Sequence, residues 1–112
     1  MLIDKFIDYL TLEKSYSHNT INAYYKDLKD FENFSKSKFD NINIEDSNYS
    51  IIRSWIVELV NTGVSNRTVN RKVSSLKSFF KFLIKTDSIE SSPLEGHIPL
   101  KQNHIHHVIQ YL

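Results

Sequence analysis

Apolar side chains recur at helical spacing through most of the first ninety residues, and no segment alternates as a half-buried strand does. Leu2, Phe6, Tyr9 and Leu10 predict a short amphipathic helix from Leu2 to Glu13. Ser17 is placed to cap a second helix, because its hydroxyl can accept from the free amides of a first turn. Ile21, Tyr24, Tyr25, Leu28 and Phe31 form that helix's apolar stripe. Residues 35–47 mix Ser, Lys, Asn and Asp around Phe39, Ile42 and Ile44, and read as a loop whose apolar side chains tuck against a core. A third helix is expected from about Asn48 to Thr62, with Ile52, Trp55, Ile56 and Leu59 inward and Gly63 making the left-handed turn that ends it. Ser65 or Asn66 caps a fourth, which runs to about Thr86 and is the most regular: Val69, Val73, Leu76, Phe80 and Leu83 follow steps of 4, 3, 4 and 3. Pro93, Gly96 and Pro99 all lie beyond this region, so Gly63 is its one strong breaker. The pattern predicts an all-α fold.

Composition adds boundaries to this picture. A chain of 112 residues is one domain by size, and 40% hydrophobic with 12% aromatic residues supplies a core. With no cysteine there is no disulfide framework and no thiolate metal site, which fits a reducing compartment, and a cytoplasmic location is expected. Met1 to Lys5 carries no basic stretch leading into an apolar run, and no segment approaches the roughly 18 apolar residues of a bilayer span, so no membrane role is expected.

Net charge is only +1, but its distribution is uneven. Residues 1–62 hold seven Lys and Arg against ten Asp and Glu, residues 65–85 hold six against none, and residues 86–112 hold one against three. On a helix centred on Val69, the side chains of Arg67, Arg71, Ser74, Ser78, Lys81 and Lys85 fall within about 60° of the opposite pole, with Asn70 and Lys77 on the flank. This stripe offers guanidinium, ammonium, hydroxyl and amide groups, the groups that contact phosphates and base edges, with no carboxylate to neutralise them. Charged helix faces ordinarily serve solubility, but they ordinarily mix signs to gain i,i+4 pairs; twenty-one residues without an acid favour a polyanionic partner. A helical interaction domain meeting an acidic protein is the alternative. The second helix adds His18, Asn19, Asn22 and Lys26 away from its apolar stripe.

Other chemistry is set aside. His104, His106 and His107 could chelate a metal, but no thiol or carboxylate accompanies them, so neither metal nor cofactor is expected. No glycine-rich phosphate loop occurs, and Trp55 shares its face with Ile52, Ile56 and Leu59, as a core residue does.

Two segments carry a family resemblance. Residues 17–28, SHNTINAYYKDL, and 65–83, SNRTVNRKVSSLKSFFKFL, resemble the second and fourth helices of the amino-terminal, SAM-like core-binding domain of tyrosine recombinases of the Xer and phage-integrase type; Ile3 to Leu10 and Ser92-Pro93-Leu94 also fit. The resemblance covers residues 1–95, leaving 96–112 as a tail or truncated interdomain linker, and implies a compact orthogonal bundle of four to five helices that clamps double-stranded DNA at a recombination site, laying two helices across the major groove. It implies contacts from Arg67, Asn70, Arg71, Ser74, Lys77, Ser78 and Lys81, with His18, Asn19, Asn22 and Lys26 from the second helix. It further implies other recombinase protomers as partners on DNA, and a monomer for the isolated domain. The catalytic domain of such recombinases, with its Arg, Lys, His-x-x-Arg, His and nucleophilic Tyr, has no counterpart in the 112 residues, so no catalytic residue is expected and Tyr111 is not read as a nucleophile.

Overall fold

The computed structural model describes residues 2–101. They form four α-helices, α1 (Leu2–Leu12), α2 (His18–Lys38), α3 (Tyr49–Asn61) and α4 (Asn66–Lys85), with one 3-10 turn at Ile44–Asp46. Among the described residues there is no strand.

The caps follow the local chemistry. Ser17 Oγ accepts from the Thr20 amide and Ser65 Oγ from the Thr68 amide, each at 3.2 Å, while Asn48 Oδ1 accepts from the Ile51 amide at 3.0 Å. Gly63, at φ 92°, closes α3 as the Val64 amide turns back to the Leu59 carbonyl at 3.0 Å. Asp87 makes the equivalent turn after α4 without a glycine, at φ 60°.

Two expectations are corrected. The second helix does not stop near Phe34 but continues to Lys38 through the polar run Ser35-Lys36-Ser37-Lys38. Ser35 is fully buried and its hydroxyl donates to the Ile42 carbonyl at 3.1 Å, so tertiary packing carries a turn whose residues alone favour loop. Tyr25, assigned to the apolar stripe, is exposed at 43%, and the buried arc runs instead through Asp27, Leu28, Phe31 and Phe34.

One core joins the helices. Phe6 of α1 meets Phe79 edge-on at 5.5 Å and Phe82 at 5.4 Å between ring centroids, and Phe31 of α2 meets Trp55 of α3 at 5.1 Å. α4 lies against all three other helices, which widens its buried face beyond the stripe read from the sequence to include Lys72, Ser75, Phe79 and Phe82. Beyond the buried Leu94, residues 97–101 run back along α4 as a strap.

Candidate nucleic-acid interface

α2 and α4 lie side by side and antiparallel: Asp27 and Asp30 of α2 pair with Arg71, Lys72 and Ser75 of α4, while the earlier Tyr24 lines one hollow with the later Ser78 and Phe82. The centre of the seam is Asp27, 1% exposed. Its Oδ2 accepts from Ser75 Oγ at 2.7 Å; its Oδ1 accepts from Arg71 Nη2 at 3.0 Å and Lys72 Nζ at 3.4 Å. Lys72 Nζ also donates to Asp30 at 2.9 Å, and Lys26 reaches the same carboxylate at 3.3 Å. Burial alone would raise the pKa of Asp30, but the hydrogen bonds and charges of Lys72 and then Lys26 hold it below the ordinary carboxylate value.

This seam corrects one sequence-based inference. The basic helix has no acid of its own, yet its charge is partly compensated, because α2 inserts Asp27 between Arg71 and Lys72. Lys72 is thereby buried as a structural cation, with its side chain 11% exposed. Arg71 keeps 52% of its side chain exposed. One of its guanidinium nitrogens is held by Asp27, which orients the fork and leaves other N–H donors outward.

The remaining stripe residues divide into three groups. Arg67, Ser74, Lys77 and Lys81 are exposed, and among the described residues Arg67, Lys77 and Lys81 have no ion-pair partner. Ser78 is half-buried, and Lys85 folds over the ring of Tyr9 at 4.9 Å from its centroid. Asn70 is engaged elsewhere: its Nδ2 donates to the Leu100 carbonyl at 2.8 Å and its Oδ1 accepts from the Leu100 amide at 2.9 Å. Asn66 holds the Lys101 carbonyl at 2.8 Å in the same way. The strap thus covers one flank of α4 while its solvent pole stays open. On α2, His18, Asn19, Asn22 and Lys26 are all exposed on one face.

Sequence reasoning missed Asp27 and Ser75 as parts of this site. Asp27 stands in the resembling segment as an ordinary helical acid, and only its burial shows that it braces α4. Among the described residues no group of His, Asp and Glu is arranged to hold a metal ion, and no helix is long and apolar enough to cross a membrane. His104, His106, His107 and Tyr111 lie outside the described residues.

The profile of the phage integrase N-terminal SAM-like domain matches residues 3–87. The chain belongs to that family. Similar curated proteins include the tyrosine recombinase XerC of Bacillus subtilis, 36% identical over 101 residues that cover 89% of this chain and 33% of that protein. The XerD of Rickettsia bellii is 34% identical over 109 residues, 96% of this chain and 35% of its own length. A Leptospira interrogans XerC is 44% identical over 91 residues, 80% of this chain and 28% of its own length. This integrase-type domain therefore spans about a third of the length of such relatives. No solved structure matches it. The matched stretch ends just past α4, so the whole α2–α4 seam lies inside the family region and the strap lies beyond it.

Proposed function

We propose that this domain binds double-stranded DNA for a site-specific tyrosine recombinase, laying the exposed faces of α2 and α4 against one duplex. The carrying observation is the solvent pole of α4, which has no acid of its own and on which a buried carboxylate from α2 orients Arg71 toward solvent. Arg67, Arg71, Ser74, Lys77, Ser78 and Lys81 are the contacts from α4, and His18, Asn19, Asn22 and Lys26 are those from α2. Arg71 can grip a phosphate or a guanine edge with its free donors. Asn70 joins them only when the strap releases its amide. Strand cleavage and religation belong to residues outside this chain, and other protomers join on DNA, with the isolated domain monomeric. Its place is the cytoplasm, with its DNA.

Fluorescence anisotropy of a labelled duplex at two salt concentrations tests the reading. Phosphate contact makes affinity fall steeply with salt, and each lost contact lowers that slope by about one. Arg67→Ala removes a charge that braces nothing among the described residues, so its effect on affinity is separable from folding. Arg71→Ala is expected to weaken binding roughly tenfold, and Arg71→Lys to recover only part, since an ammonium cannot act as a fork. Absence of duplex binding at low salt, or equal affinity for duplex and for an acidic polypeptide, refutes the proposal; the second outcome favours an acidic protein partner.

A further inference from the structure

At the carboxyl-terminal end of the stripe, the end of α1, the start of α2 and the last turns of α4 line a cleft of about 580 Å³. This falls within the roughly 300–1,000 Å³ typical of small-molecule sites. Its walls carry Tyr9, Tyr16, Tyr24, Lys14, Lys81 and Lys85, and no carboxylate lines it. Tyr16 and Tyr24 stack at 6.1 Å with their planes 13° apart, and Tyr16 stays 40% exposed. Lys14 and Lys85 stand over the Tyr9 ring at 5.9 and 4.9 Å, and Lys85 Nζ donates to the Tyr9 hydroxyl at 3.5 Å. Three ammonium groups and an aromatic stack therefore share one concave surface. The other hollow beside α1 differs: Asp4, Lys29, Glu32 and Lys36 mix signs there, and both lysines pair with Glu32.

We infer that this cleft holds an unpaired nucleotide, its base stacked on Tyr16 and its flanking phosphates on Lys14, Lys81 and Lys85. The ligand follows from the chemistry of the walls. A paired base shows only its edges in a groove, whereas an unpaired base offers the face that a tyrosine ring recognises, independently of sequence. Lys14, Lys81 and Lys85 have no ion-pair partner among the described residues and can neutralise the phosphates on either side. The inference rests on the DNA-binding reading for the kind of ligand, but it uses residues outside the α4 contacts named there, apart from Lys81.

The test compares a blunt duplex with the same duplex carrying an unpaired thymidine overhang, by anisotropy with wild type, Tyr16→Ala and Tyr16→Phe. Wild type should bind the overhang duplex about tenfold more tightly than the blunt one, Tyr16→Ala should lose that gain, and Tyr16→Phe, which retains the ring, should keep it. Because Tyr16 is an exposed residue between two helices, far-ultraviolet circular dichroism is expected to show both variants folded. Equal wild-type affinity for the two duplexes overturns the cleft inference and leaves duplex binding standing. A gain that survives Tyr16→Ala also overturns it. Binding only to the overhang DNA supports the cleft and removes the duplex reading; binding to neither removes both.

Discussion

Removing the carboxylate of Asp27 should damage the domain more than any change on its exposed basic face. Asp27 is 1% exposed and accepts from Arg71, Lys72 and Ser75, so Asp27→Ala leaves two cations and a hydroxyl facing a cavity. Breaking a buried ion pair from one side costs about 3–5 kcal/mol. The lower end applies here, about 3 kcal/mol, because Lys72 keeps Asp30 at 2.9 Å and the half-exposed Arg71 can turn to water. That is a large share of the roughly 5–15 kcal/mol by which a domain is stable. It should lower the melting temperature by roughly 10–20 °C. Asp27→Asn keeps one acceptor oxygen for Arg71 and Lys72, turns an amide NH2 toward the Ser75 hydroxyl, which can accept from it, and loses only the charge, so about half that loss is expected. Urea and thermal denaturation followed by circular dichroism measure both. Ser75→Ala, introduced alone and into Asp27→Ala, should be non-additive, because the two share one hydrogen bond. A loss below about 1 kcal/mol for Asp27→Ala, or an Asn variant as damaged as the Ala variant, refutes the brace.

Two further predictions concern the strap. Asn70→Ala removes both hydrogen bonds to Leu100, each contributing about 1 kcal/mol, so exchange of the Leu100 amide should accelerate roughly tenfold or more while global stability barely moves. Unchanged exchange at Leu100 would show that these two bonds do not hold the strap. His97 sits 3.1 Å from the Tyr49 hydroxyl, and burial, followed by the charge of Lys77, pushes its pKa below 6.5. Because the folded value is the lower one, the stability contributed by the neutral ring is complete above 6.5 and is lost as pH falls through the folded value. Exchange protection around Leu94 and His97 should therefore be flat above pH 6.5 and drop as pH falls below it, and His97→Phe should abolish the dependence. A flat profile in the wild type would sever the link.

The sequence by itself determined the helices, because their signals are local. Ser17, Asn48 and Ser65 each present a side-chain oxygen to an amide three residues on, and Gly63 accepts a backbone angle that other residues resist. The period of Val69, Val73, Leu76, Phe80 and Leu83 marked the inner face of α4, and the missing acids from 65 to 85 marked its outer one. What the tertiary structure decided depends on which face meets which neighbour. Phe79 and Phe82 are buried because α1 covers a second flank of α4, although the cluster Phe79-Phe80-x-Phe82-Leu83 was already too apolar for a single stripe. Residues 35–38 are helical because Ser35 and Phe34 are enclosed from outside the helix. Lys72 and Arg71 differ by one position and look alike in sequence, yet one is a buried brace and the other a presented fork. Their difference is set by an acid forty-four and forty-five residues away, and nothing local encodes that separation.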